Sequence, residues 1–376
     1  MSAIEIVPVQ GRALLDRFIR LPERLHKDDP HYIAPLHMER LDALTPKNPF
    51  FGHADVQFWL ARKDGRDVGR ISAQIDHQAL SIRPDAAGQF GMIAAEDDPA
   101  IFAALLSTAE NWLRARGRSR IEGPFNLNIN EEMGLLVDGF DTPPMLLMGH
   151  DKPYIGARLE ALGFAKEKDV YAYLYDIRVD LPAGARRLVE RPLPDGLTVR
   201  SIDFKRYNDE IRAVTSIFND AWANNWGFVP LTDIETDHLA KSLKPLLDAR
   251  LVSIVEWKGE PVGFLVCLPN INEAISDLNG RLLPFGWAKL LWRLKVSGVK
   301  TARVPLMGIR RSFAQGVIGS LLPFLLIDRV RKNAVPMGFT HVELSWILED
   351  NLPMRRINES LGGVAYKTYR IYAKAL

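Results

Sequence analysis

Residues 160–173 read EALGFAKEKDVYAY, and residues 359–372 read ESLGGVAYKTYRIY. Glu, Leu, Gly, a Lys and the final Tyr coincide at an offset of 199. Two more landmarks repeat in the same order. DGRDVG at 64–69 answers KGEPVG at 258–263, each followed by an apolar strand-like run. NWLRARGRSRIEGPF at 111–125 has the layout of KNAVPMGFTHVELSW at 332–346: a helix end, a Gly, a short strand. Repeated landmarks in a fixed order mark a duplicated supersecondary unit.

Working outward, each half predicts the same series. A first strand (4–7; 197–202) leads into helices of apolar periodicity, 209–224 among them. A hairpin follows (56–62 with 67–75; 251–257 with 261–268), its turns carrying Asp64-Gly65 and Lys258-Gly259. Then come a strand (89–95; 303–309), a long helix (99–116; 319–333) and a strand (120–125; 341–346). A short helix (154–162; 353–361) ends in Gly before a final strand. The expected domains are 1–180 and 197–376. Residues 181–196, LPAGARRLVERPLPDG, read as a Pro-, Gly- and Arg-rich linker. The halves differ by insertions within 126–150 and 273–302, where function tends to sit on a repeated scaffold.

Composition narrows the class. The 376 residues are 47% hydrophobic and 25% charged, an ordinary globular balance that excludes disordered and collagen-like chains. The one cysteine, Cys267, allows neither an intrachain disulfide nor a cysteine zinc site, so a reducing cytoplasm is expected. The eight histidines form no ligand motif, so no metal is expected. A net charge of +2 is too balanced to argue for nucleic acid. No signal peptide is read at 1–10, and no run reaches the ~18 apolar residues of a membrane span.

The series strand–helices–hairpin–strand–helix–strand–helix–strand resembles the GNAT fold of N-acyltransferases. That implies an α/β (α+β) protein of two GNAT-like domains in tandem, each a mixed, mostly antiparallel sheet flanked by helices. SWILEDNLPMRRINESLGGVAYKTY (345–369) is similar to that family's late segment, and RVPLMGIRRSFAQGVIGSL (303–321) to its fourth strand, pyrophosphate loop and third helix. The family's basic position falls on Ala314 and its first Gly on Val317, with Arg311 and Gln315 as nearby polar substitutes. A Gly-containing turn that opens a helix offers free N–H groups and a positive dipole end to a phosphate. Gly316 and Gly319 equally suit close helix packing. The matching place in the first half, EDDPAIF, has three acids and no Gly, so only the second half is expected to bind acyl-CoA.

PKNPFFGHAD (46–55), GPFNLNINEEMGLLVDGFDTPPMLLMGHDKPY (123–154), NDAWANNWGFVPL (219–231) and ELSWILEDN (343–351) resemble a narrower group, bacterial tandem acyltransferases that include the bacterial ceramide synthases. This implies acyl transfer from acyl-CoA to a lipid amine, a sphingoid base. Acetyl transfer to a small amine or protein lysine, and acyl-CoA binding without turnover, remain alternatives. By the resemblance, backbone groups of Met307, Gly308 and Ile309 hold the pantetheine and the oxyanion. The expected cofactor set adds Arg311, Gln315, Gly316, Val317, Gly319, Ser320 and Asn351.

Acyl transfer to an amine needs a base and a proton for the leaving thiolate. The family's acid, a Tyr seven residues after Asn351, is replaced by Asn358; Tyr366 and Tyr369 are the substitutes. Candidate bases are Glu131 and Glu132 beside Asn126, Asn128 and Asn130, then His150, and Glu343, which shares a strand face with Ser345. Asn219, Trp222, Asn225 and Trp226 are expected to line the acceptor site. Polar turns, capping and core packing account for the same residue types.

The insertion 282–300, LLPFGWAKLLWRLKVSGVK, places Leu283, Trp287, Leu290, Leu291 and Leu294 on one helical face, with Lys289, Arg293 and Lys300 away from it. That is the pattern of a helix lying on an anionic membrane surface, and also of an amphipathic helix facing a core. Trp287, Leu291 and Leu294 are the expected membrane contacts. A peripheral place on the inner face of the cytoplasmic membrane follows from that reading.

Overall fold

The computed structural model describes residues 3–376, and of Val317 the backbone alone. Packing divides the chain into two units: Met1–Val170 with Ile275–Lys289 and Lys367–Leu376, and Tyr171–Ala274 with Leu290–Tyr366. The strands in chain order are β1 (Glu5–Pro8), β2 (Ala54–Lys63), β3 (Arg66–Asp76), β4 (Gly88–Ala95), β5 (Arg120–Gly123), β6 (Phe125–Asn126), β7 (Glu132–Met133), β8 (Leu135–Asp138), β9 (Ala165–Asp176), β10 (Leu197–Ser201), β11 (Val252–Trp257), β12 (Glu260–Pro269), β13 (Thr301–Ile309), β14 (His341–Leu348) and β15 (Val364–Ala375).

In the first unit β1, β2, β3 and β4 pair antiparallel in order, and β4 pairs β5 in parallel. Alternation along β2 sends Phe58 and Leu60 to a core with Phe18 of the helix Gly11–Leu25. Trp59 and Ala61 face the opposite core, with Phe102 and Leu105 of the helix Pro99–Arg114. Both faces of the sheet are covered, which explains the unbroken apolar run in β2.

The second unit repeats the plan. β10, β11, β12 and β13 pair antiparallel, and β14 joins β13 in parallel. One face buries Leu265 and Cys267 with Leu322 and Leu326 of the helix Gly316–Ala334. The other lays Val266 and Leu306 near Val214 and Phe218 of the helix Tyr207–Ala221. Both hairpins turn through two residues of positive φ, Asp64-Gly65 at 52° and 76° and Lys258-Gly259 at 51° and 84°. Such a pair matches the twist of the flanking strands.

The units are not the contiguous halves expected. Residues 181–196 hold a helix, Ala183–Val189, and Leu181 and Ala185 are buried in the second unit's core. The final strands are exchanged. Residues 367–376 belong to the first unit, where β15 pairs antiparallel with β5 and β8. There Arg370 binds Asp169 through two hydrogen bonds of 2.8 and 3.0 Å, and the Tyr372 hydroxyl donates to Glu160 at 3.1 Å. In the second unit the Tyr173 hydroxyl donates to Glu359 at 3.0 Å. Each Glu of the duplicated segment thus bonds the Tyr of the other copy.

Candidate active site

β13 and β14 pair from Thr301↔His341 to Val304↔Leu344, while both strands run on to Ile309 and Leu348. Beyond that point they part. The gap is a cavity of about 310 Å³, lined by Met307, Gly308, Ile309, Ser345, Trp346 and Asn351, with Trp222 and Asn225 from beyond the helix Tyr207–Ala221. The Trp222 indole donates to the Met307 carbonyl at 3.3 Å. A Cβ on Gly308 would meet Phe264 at 2.9 Å and Ala221 at 3.3 Å, so the bare glycine lets that helix approach the strand.

The helix Gly316–Ala334 opens beside the cavity, with Ala314 and Pro323 in its lining. It starts three residues earlier than expected, at Gly316, whose φ of +79° suits glycine. The Gln315 side chain gives no cap, so the first-turn N–H groups lack a side-chain acceptor at that position. Gln315, Gly316 and Ser320 are exposed; the side chain of Val317 lies outside the described residues. Gly319 is buried, and a Cβ there would sit 2.4 Å from the Phe313 carbonyl oxygen, so its bare Cα lets the loop backbone pack against the helix. Arg311 bonds Asp220 through its N–H at 2.8 Å and its guanidinium at 3.2 Å, and Arg310 reaches Ser216 at 3.2 Å. The bonds from Arg311, its backbone N–H first, hold the Asp220 carboxyl below its usual range. Asn351 caps the helix Leu352–Ser360 through the Met354 N–H.

Two residues before Ser345 on the same strand, Glu343 is fully buried and lies outside the lining itself. The Ser345 and Tyr366 hydroxyls donate short hydrogen bonds to its two oxygens. Arg303 donates to Ser345 Oγ at 2.8 Å and lies 3.4 Å from Glu343. A carboxylate is thereby joined to a hydroxyl that lines the cavity. A hydroxyl in that position relays a proton by accepting one as it donates another. Tyr369, offered above as an acid, is fully buried in the first unit with its hydroxyl donating to the Gly149 carbonyl at 3.2 Å.

The remaining expected residues have other surroundings. Asn219 clamps Leu231, donating to its carbonyl at 3.1 Å and accepting from its N–H at 3.0 Å, a loop-closing role. Trp226 is half-buried. In the first unit Asn126 accepts from the Met92 N–H at 2.8 Å and donates to Glu132 at 3.0 Å. Arg40 pairs with Glu132, and Asn48 donates to Glu131 at 2.9 Å. Asn130 N–H donates to Asn128 Oδ1 at 2.8 Å. Burial pushes Glu132 up, but the Arg40 charge and the hydrogen bonds from Arg40 and Asn126 outweigh it and hold the carboxyl low. That makes Glu132 a weak base. Burial pushes Glu131 and Asp151 up to about 7. Asp151 and Arg40 escaped the sequence reading; the only trace of Asp151 there was the run GHDKPY.

His150 is buried with Nε2 3.1 Å from Asp29 Oδ2, an oxygen that also lies 3.5 Å from His26 Nδ1. Burial lowers both imidazoles, His26 to about 4, so both are neutral at pH 7. Among the described residues His26, Asp29 and His150 are the one group whose ligand atoms lie within 4.8 Å of each other. Lys152 Nζ stands 3.8 Å from the same Asp29 oxygen and would oppose a cation.

No family model matches the chain. Among solved structures it is similar to a tandem GNAT protein of the clavulanic acid pathway (TM-score 0.58, 15% identity, 99% of this chain and 98% of that one). It is similar also to a GCN5-related N-acetyltransferase of Sphaerobacter thermophilus (TM-score 0.55, 13% identity, 98% and 95% of the two chains). These likenesses and the parted strands define the class: a tandem GNAT-fold protein. The bacterial ceramide synthase of Caulobacter vibrioides is 57% identical over 99% of this chain and 98% of its own length. Protein YghO of Escherichia coli is 47% identical over 96% and 93%. The chain belongs to the bacterial ceramide synthase family and is an N-acyltransferase.

Proposed function

We propose that the protein transfers a long acyl chain from acyl-CoA to the amine of a sphingoid base, and that the second unit's cavity is where the thioester meets the amine. The parting of β13 and β14 beyond Val304 and Leu344 carries this reading. It supplies a narrow gap between strand backbones, ending beside a helix start without a side-chain cap, which fits a pantetheine arm followed by a pyrophosphate. The 57% identical relative is named for ceramide synthesis, and that supports the choice of amine.

In this reading backbone groups of residues 305–309 orient the thioester carbonyl. Ser345 accepts the proton of the attacking amine and passes one to Glu343, while Arg303 holds both in place. The N–C bond forms, the C–S bond breaks, and the thiolate takes up the proton that the amine released. Trp222, Trp346 and Met354 give the cavity an apolar wall that excludes water from the thioester.

The test is thiol release by the full chain with acyl-CoAs of graded length and a sphingoid base. Turnover that rises with chain length and yields the N-acyl product supports the proposal. Turnover with acetyl-CoA and small amines alone overturns the substrate. No turnover with any acyl-CoA overturns the reading.

A further inference from the structure

Sixteen large apolar side chains stand exposed among the described residues, and six of them fall within Leu283–Val296. They are Leu283 (73% exposed), Phe285 (78%), Trp287 (51%), Leu291 (51%), Trp292 (61%) and Val296 (61%). Such a concentration in one short stretch is not the scatter of ordinary surface leucines. The stretch comprises the helix Gly286–Trp292 and a π-type turn over Arg293–Ser297.

The exposed set differs from the face that helical spacing predicts. Leu290 and Leu294 turn inward onto the second unit's core and anchor the stretch. Phe285, Trp292 and Val296 join Leu283, Trp287 and Leu291 outside. The Trp287 indole N–H donates to the Pro284 carbonyl at 3.0 Å, so its polar edge is satisfied while half of the residue stays in solvent. Arg293 donates to the Ala274 carbonyl at 2.7 Å, and Glu273 accepts from the Lys300 and Thr301 N–H groups at 2.8 and 3.0 Å, which ties down the far end. Lys289 pairs with Asp277. Between Arg281 and Lys300 there are five basic residues and no acid, and Arg281, Lys289, Lys295 and Lys300 are exposed.

We propose that residues 282–297 dock this protein on the surface of an anionic lipid bilayer. Protruding aromatic and aliphatic side chains enter the boundary between headgroups and acyl chains, and the lysines meet the lipid phosphates. Charge complementarity selects this occupant: Lys289 is paired with Asp277, while Arg281, Lys295 and Lys300 add exposed positive charge that suits an anionic surface. No helix among the described residues is long and apolar enough to cross a membrane, so the attachment is one of surface insertion. On the acyltransfer reading, and only on it, docking also brings the enzyme to the leaflet where a long-chain amine is dissolved.

The test is co-sedimentation of the full chain with vesicles of phosphatidylcholine and phosphatidylglycerol at 7:3, against phosphatidylcholine alone. The expected result is binding to the anionic vesicles that weakens at high salt. The triple variant Trp287→Ser, Leu291→Ser, Trp292→Ser should lose at least tenfold in partitioning with an unchanged melting temperature. Lys295→Glu with Lys300→Glu should lose several-fold. A wild type that ignores anionic vesicles overturns the proposal, as does a triple variant that binds normally. A triple variant that unfolds also overturns it, because those side chains would then be core. Self-association of the wild type without lipid, lost in the triple variant, assigns the face to a second copy instead. Turnover of the sphingoid base in detergent micelles, without vesicles, separates the two proposals. Its absence in the wild type breaks the acyltransfer reading and leaves docking standing; absent vesicle binding does the reverse.

Discussion

The two units meet the same station of their common fold in opposite ways. In the second, β13 and β14 part after Val304 and Leu344 and leave a cavity. In the first, β4 and β5 pair at Gly88↔Ile121 and Gln89↔Glu122, and residues 125–126 then lie against β4. A Cβ on Gly91 would stand 1.7 Å from the Phe125 carbonyl oxygen, Gln74 donates to that oxygen at 2.8 Å, and Asn126 takes the Met92 N–H. The helix starts differ as well. Asp98 caps the helix Pro99–Arg114 through the Ala100 N–H at 2.9 Å and holds Lys63 at 2.9 Å, whereas Gln315 gives its helix no such bond. A duplicated scaffold has kept its strands and turns while one copy is stitched shut and self-capped. The stitched copy carries a cluster of buried charge around Glu132 instead.

Four experiments break or sharpen this contrast. The largest effect is expected for Glu343→Gln. If Glu343 is the proton acceptor proposed above, its loss should lower turnover ~100-fold or more with acyl-CoA affinity unchanged. If turnover survives and Asp151→Asn or Glu131→Gln abolishes it instead, the chemistry belongs to the first unit's cluster and the contrast is inverted.

Gly91→Ala comes next. Its methyl group has no room against a backbone carbonyl, so the stitched gap must open at a cost of about 3 kcal/mol, measured by chemical denaturation. Gly308→Ala, which meets the flexible end of Phe264, should cost about 1 kcal/mol. Equal costs would mean that the two stations are packed alike.

A pH series tests the charge cluster. Because the folded-state value of Asp151 lies near 7, above an unfolded value near 4, the folded chain binds the extra proton between them. Stability from this group is therefore present at pH 4 and lost as pH rises to 7. Asp151→Asn should grow more stable relative to wild type across that window, by a few kcal/mol at most. A difference that is flat with pH sinks the assignment. His26, lowered to about 4, acts in the opposite sense and is common to both proteins, so it cancels.

The smallest effect is expected for Asp98→Ala, which removes the cap of the first unit's helix. It should lower stability by about 1 kcal/mol and leave turnover unchanged. An unaltered melting curve would show that the cap contributes little.

Much of this was legible. The turn pairs Asp64-Gly65 and Lys258-Gly259 marked both hairpins, because two residues of positive φ leave few alternatives. Period two put Glu343 and Ser345 on one face, and they are hydrogen-bonded. The strand exchange left no trace, since Tyr173 and Tyr372 follow such similar segments that either could complete either sheet. Arg40 and Glu132 lie too far apart in sequence for any local pattern to join them. At Gly319 spacing alone could not show that the glycine also makes room for the loop's own carbonyl. Leu294 was placed outside by a period of 3.6, and the π-type turn over Arg293–Ser297 shifts that period.

The exchanged strand also has a consequence for synthesis. When the ribosome has made residues 1–180, the first unit lacks the segment 367–376 that pairs with β5 and β8. Its sheet waits with open edges through the translation of the whole second unit. Domain-by-domain folding on the ribosome is therefore closed to this chain. The nascent protein must hold the first unit's sheet open, liable to edge-to-edge pairing with a neighbouring chain, until residues 367–376 emerge.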